Sequence, residues 1–210
     1  MALDKAGNII VAEQGKNRLL VFDRAGIFEW NYRDQLKYPF GVAVNAAGNI
    51  VVTDTGNDRV QVYDEEGVFL RTFGSKGSDM SQLKDPYGVA VDAAGNIVVV
   101  DDKNHRVQGF GELGTFVWSF GSHGSNEGQF HNPFSVLIDV VGNIVVADLG
   151  NHWIQVFDEL GTFLQNFGSK GTGDSQFNNL TDVTVDAARS IVVTDSDNQR
   201  VQILISRVPF

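Results

Sequence analysis

The stretch GNIVVTDTGNDRVQVYD at 48–64 returns almost unchanged as GNIVVVDDKNHRVQGFG at 95–111 and GNIVVADLGNHWIQVFD at 142–158. Repetition at a fixed period constrains a fold more tightly than any local propensity, because each repeat must build the same small unit and bury it against its neighbours. The acid that closes the central apolar run marks the register: Glu13, Asp54, Asp101, Asp148 and Asp195 lie 41, 47, 47 and 47 residues apart. Five units therefore cover residues 1–210, read as a single domain. Each holds four short runs of β-branched and aromatic residues, punctuated by Gly, Asn and Asp, which predicts four antiparallel strands joined by tight turns.

Several central runs are apolar without alternation, such as Ile50-Val51-Val52 and Ile97-Val98-Val99-Val100. A strand with polar side chains on neither face must be covered on both. Four-stranded sheets repeating every 40 to 50 residues and covered on both sides predict an all-β fold, a five-bladed β-propeller of four-stranded antiparallel blades.

The chain contains no cysteine, so thiolate metal sites, disulfides and a cysteine nucleophile are excluded. No apolar run approaches the roughly 18 residues of a membrane-spanning helix. The start, MALDKAGNII, has neither a basic nor a hydrophobic leader segment, so a cytoplasmic setting without membrane contact is the expectation. A formal net charge of -10 weighs against nucleic acid and anionic membranes as partners.

The acids are unevenly placed. In a propeller, the turns joining first to second and third to fourth strands share one side, and these carry eleven acids and three bases. The second-to-third loops and the connections between units carry ten bases, eight loop acids and the five strand-ending acids, a mixed surface. In each unit the strand-ending acid precedes by five residues the position held by Arg18, Arg59, Arg106, Trp153 and Arg200. An Asn between them (Asn57, Asn104, Asn151, Asn198) suits an Asx-type turn, so the acids are expected to tie loops through charge-assisted hydrogen bonds rather than to catalyse. Trp153 stands where Arg is expected, which would leave Asp148 short of its partner.

The same mixed side holds the candidate ligand-binding residues. Phe40, Tyr87 and Phe134 each follow a proline, and Arg59, Arg106, Arg200, Trp153, His105 and His152 lie in the neighbouring loops. Aromatics interleaved with Arg and His suit stacking on single-stranded RNA, a protein hot spot, or plain packing. His105, His123, His131 and His152 cluster in the third and fourth units, where zinc would need three or four ligands around one centre; neither a metal nor any other cofactor is expected.

The motifs FGSKG, GQF, PYGVAVD, GNIVVxD and NHRVQ resemble the NHL repeats of the TRIM-NHL proteins and their bacterial relatives, across all five units. The resemblance implies a propeller and a family with RNA-binding, protein-binding and, in the amidating lyase, metal-dependent members. Such propellers typically have six blades and this chain has five repeats, so it resembles a truncated, recombined or designed version. The leading expectation is a non-enzymatic scaffold that binds a protein or peptide on the mixed side, with single-stranded RNA as the alternative. A designed or evolutionary-model propeller without a natural ligand and a metal-dependent lyase-like enzyme complete the options. Closure of the ring by the terminal Pro209-Phe210, giving a monomer, is expected over an open arc whose edges pair with another chain.

Overall fold

The computed structural model describes residues 1–33, 35–186 and 190–204; the expected closure through Pro209-Phe210 lies outside them. The chain is all-β and forms five successive antiparallel sheets of the propeller-blade type, each a meander in sequence order. The first sheet holds β1 (Ala2–Leu3), β2 (Ile9–Glu13), β3 (Arg18–Phe22) and β4 (Phe28–Tyr32). The second holds β5 (Pro39–Val44), β6 (Ile50–Asp54), β7 (Arg59–Tyr63) and β8 (Phe69–Phe73). The third holds β9 (Pro86–Val91), β10 (Ile97–Asp101), β11 (Arg106–Phe110) and β12 (Phe116–Phe120). The fourth holds β13 (Pro133–Ile138), β14 (Ile144–Asp148), β15 (Trp153–Phe157) and β16 (Phe163–Phe167). The fifth has three strands among the described residues, β17 (Leu180–Val185), β18 (Ile191–Asp195) and β19 (Arg200–Leu204). Among the described residues no helix is long and apolar enough to cross a membrane.

The chain packs as two compact units, residues 1–103 with 108–117, and residues 104–107 with 118 onward. In the first unit, Ile10, Leu19 and Val21 pack against Val42, Ile50 and Val52. On the opposite side of the second sheet, Val51, Val60 and Val62 meet Val89, Ile97 and Val99. In the second unit the same contact joins Val145, Ile154 and Val156 to Val183, Ile191 and Val193. Every residue of β6, β10 and β14 is buried, which is the cover on both faces that their unbroken apolar runs require.

The turns give several of the acids a structural role. In the turn after β3, Asp23 Oδ1 accepts the backbone N–H groups of Ala25 at 2.9 Å and Ile27 at 2.8 Å. Asp64 and Asp158 do the same in the turns after β7 and β15, and Asp92 and Asp139 in those after β9 and β13, satisfying donors that the reversal of the chain removes from the ladder. These bonds hold the Asp158 carboxyl below its ordinary range, the N–H of Thr162 contributing most.

Two glycines mark close approaches. Gly41 in β5 lies where a Cβ would run into the Tyr87 carbonyl oxygen of β9. Gly67 has φ +80°, and a Cβ there would stand 2.7 Å from the indole ring of Trp30 in β4.

Candidate functional site

Each strand-ending acid is the centre of a repeated network. Asp54 is wholly buried at the end of β6, with Oδ1 accepting the backbone N–H of Lys37 at 2.6 Å. Its Oδ2 accepts Asn57 Nδ2, Arg59 Nε and Gln61 Nε2, each at 2.8 Å. Asp195 repeats the pattern, with Asn178 N–H at 2.7 Å, Asn198 Nδ2 at 2.8 Å, Arg200 Nε at 2.9 Å and Gln202 Nε2 at 3.2 Å. Asp101 accepts Lys84 N–H at 2.7 Å and Gln108 Nε2 at 3.1 Å. One carboxylate thus holds the chain entering its sheet, 17 residues back, and the strand leaving the loop, five and seven residues on.

The arginines complete the tie. Arg59 also donates through Nη2 to the Gln35 carbonyl at 2.9 Å. Arg200 donates to the carbonyls of Thr172, Gly173 and Gln176 at 2.6 to 2.8 Å. Their planar forks are spent on a carboxylate and on backbone oxygens, so the Asp–Arg spacing serves structure. The Asn between them acts differently from an Asx turn: its side-chain amide donates to the acid, and in Asn57, Asn151 and Asn198 also to a carbonyl of the incoming connection. The first sheet keeps a shortened version, with Arg18 Nε and Lys16 Nζ both on Glu13.

The fourth sheet departs from the expectation drawn from its sequence. Asp148 does have a partner at the arginine position, because Trp153 Nε1 donates to its Oδ2 at 2.8 Å. The indole supplies the hydrogen bond without the positive charge. Burial accordingly pushes the Asp148 carboxyl up, against the lowering pull of Asn151, His131 N–H, Trp153 and Gln155. At Asp195 the same burial is outweighed by Asn178, Asn198, Arg200 and Gln202, and the carboxyl falls below its ordinary range. Asp148 is the more strongly desolvated of the two and has an uncharged donor at this position, and both differences favour its neutral form.

Of the predicted aromatics, Phe40 and Tyr87 lie in the first unit near the starts of β5 and β9, both half-buried, with ring centroids 5.0 Å apart in an edge-to-face contact. Burial raises the Tyr87 phenol, assisted by Asp102 and Asp85. Phe134 holds the matching half-buried position at the start of β13 in the second unit. The backbone beneath them is stitched across sheets: Thr53 Oγ1 donates to the Tyr87 carbonyl at 2.7 Å and Thr55 Oγ1 to that of Pro86 at 2.6 Å.

The histidines divide. His105 and His152 stand in the left-handed backbone region, with φ of 52° and 59°, at a position that Asn17, Asp58 and Gln199 hold with φ of 52° or 53°. The loop demands a residue that tolerates this region, which accounts for their recurrence. In the second unit the His105 ring lies 4.6 Å from that of His123 and 6.4 Å from that of His131. Among the described residues no group of three or more His, Asp or Glu is placed to hold a metal ion. His152 Nδ1 is buried without a hydrogen-bond partner, and burial, Lys170 and His131 together lower its pKa.

Sequence reasoning missed the glutamines. Gln61, Gln108, Gln155 and Gln202 each donate to the strand-ending acid, and Gln108, Gln155 and Gln202 also to the carbonyls of Gln82, Gln129 and Gln176 at 2.6, 2.6 and 2.7 Å. The recurring Val-Gln and Ile-Gln pairs of the third strands were the signal: a polar residue held in register within a buried run needs a buried partner.

Three segments of the chain, 36–63, 83–110 and 177–204, match the NHL repeat. No curated protein matches the chain. Among solved structures, a streptogramin B lyase is similar at 13% identity and a TM-score of 0.75, over 96% of this chain and 63% of that one. A catalytically inactive virginiamycin B lyase from Staphylococcus aureus with quinupristin is similar at 16% identity and a TM-score of 0.75, over 98% and 65%. A nidogen/laminin complex is similar at 19% identity and a TM-score of 0.63, over 79% and 61%. The chain therefore spans less than two thirds of the length of these neighbours, and the likeness is one of fold.

Proposed function

We propose that the chain is a non-enzymatic scaffold that binds a protein or peptide through the side carrying the second-to-third strand loops and the connections between sheets. The observation that carries this reading is the half-buried pair of Phe40 and Tyr87, set on a backbone that Thr53 and Thr55 hold rigid. Rigid aromatics with one edge in solvent bring large contact area at little cost in side-chain entropy, the usual make-up of a protein hot spot. The acids nearby are committed to loop anchoring, which supports binding over catalysis. Single-stranded RNA is less favoured, because Arg59 and Arg200 give their guanidinium donors to Asp54, Asp195 and backbone carbonyls rather than offering them to phosphate.

A random-peptide display library selected on the full chain tests this. Enriched peptides are expected to bind with a shallow salt dependence and to lose at least about tenfold in affinity on Tyr87→Ala or Phe40→Ala, the range of a hot-spot residue. Peptides indifferent to both substitutions, or a polyuridine oligonucleotide that binds with a steep salt slope while no peptide is enriched, would overturn it.

A further inference from the structure

The contact between consecutive sheets is the same wherever it occurs within a unit, and it has two unlike halves. The following side of the second sheet offers Val51, Thr53, Val60 and Val62, exposed by 1, 0, 0 and 0%. The preceding side of the next sheet receives them with Val89, Ile97, Val99 and Phe110. In the fifth sheet the positions equivalent to Val60 and Val62 are Val201 and Ile203 of β19, and they are 60 and 62% exposed. Val192 and Thr194, paired to them across β18, are likewise only part-covered, although Val193 and Ile191 on the other face are buried against the fourth sheet.

The first sheet shows the complementary half uncovered. Leu3, paired with Ile9, is 64% exposed. Ile9, Val11, Leu20 and Phe22 are half-buried. Their equivalents Ile50, Val52, Gln61 and Tyr63 in the second sheet are exposed by 2% or less. Leu20 is telling, because the other four sheets carry at this position the glutamine that bonds the strand-ending acid. The first sheet thus presents an apolar surface where its siblings spend a polar group.

We infer that these two faces are a head-to-tail interface between copies of this chain, the fifth sheet of one copy seating on the first sheet of the next. Val201 and Ile203 would take toward the partner's Ile9, Val11 and Leu20 the roles that Val60 and Val62 take toward the third sheet. Each face is one half of a contact the molecule already builds three times, and a sheet of this repeat supplies the other half. Because the halves differ, the association is heterologous, with each copy using one face for each neighbour. At a net charge of -10 the copies repel one another, so added salt favours rather than dissolves the contact.

Light scattering after size exclusion over a range of concentrations reads the outcome. The unmodified chain is expected to rise above 22.9 kDa with concentration. V201K/I203K, blocked at the tail, and L3K/L20Q, blocked at the head, are each expected to remain at 22.9 kDa, with unchanged β-sheet circular dichroism showing that they fold. Leu20→Gln only restores the residue that the other sheets carry. Mixed in equal amounts, the two blocked variants still hold one intact face each and are expected to form a complex of twice the single-chain mass. An unmodified chain that stays at 22.9 kDa throughout, an oligomer that survives either pair of substitutions, or a mixture that fails to associate would each overturn the inference.

Discussion

Trp153 and Arg200 occupy the same register position and send the same kind of N–H to the same kind of buried carboxylate, at 2.8 and 2.9 Å. They differ in one unit of charge. Trp153→Arg is expected to bring the Asp148 carboxyl down and to stabilise the chain at pH 7 by about 1 kcal/mol, because the hydrogen bond is already made and only the attraction of a charge is added. The gain follows from linkage: a carboxyl lowered by folding contributes stability above its ordinary value of 3.8 and loses it as pH falls through the folded value. Urea unfolding at pH 7 and again below 3.8 checks both parts, since the advantage of the variant should shrink in acid. His152 makes the opposite case, its pKa lowered from 6.5. The unfolded chain then binds more protons there, so stability declines as pH falls below 6.5, and His152→Asn, which suits the left-handed backbone, should flatten that slope. At this scale the sequence was partly legible. Invariant spacing announced the Asp–Arg pairs, whereas an indole nitrogen standing in for a guanidinium is a matter of geometry that no spacing encodes.

The element that matters most is the strand-ending acid with its loop, because it joins three stretches distant in sequence. Asp54→Ala removes the acceptor of Lys37, Asn57, Arg59 and Gln61 at once and should cost about 3–5 kcal/mol, as breaking a buried charge pair does. Glu13→Ala should cost far less, since Glu13 is 28% exposed and bonded chiefly to two side chains. Thermal unfolding of the two variants side by side decides this. Gly41→Ala sets a methyl against the Tyr87 carbonyl and is expected to destabilise by about 1–3 kcal/mol, the cost of overpacking between sheets. Strands and turns were readable from β-branched runs and Gly, Asn and Asp punctuation. The glutamines were not, because their partner lies on the neighbouring strand and becomes evident only once strand register is known. The acid-rich turns were visible as charge, and their work as acceptors for backbone N–H groups emerged only with the turn geometry.

For the whole molecule, period and unbroken apolar runs were enough to reach five propeller blades, because both follow from how one unit must cover the next. What the period could not show is where cover ends. Identical chemistry at equivalent positions should therefore give unequal results. Val60→Ala and Val62→Ala, within a fully buried contact, should each cost about 1–3 kcal/mol, while Val201→Ala and Ile203→Ala should stay within about 0.5 kcal/mol when measured on dilute monomer. Equal costs at all four positions would mean that the last sheet is covered in solution as fully as the second.

The reach of each strand-ending acid also sets where the chain can be divided. Lys37, Lys84, His131 and Asn178 are the first residues gripped by Asp54, Asp101, Asp148 and Asp195, and each precedes its acid by 17. Residues 84–130 and 131–177 are thus interchangeable cassettes of equal length, each starting on its own anchor point and carrying its own acid and glutamine. A recombined chain cut at these positions keeps every acid with its anchor and its glutamine, whereas one cut between an anchor and its acid would leave the two in different parents.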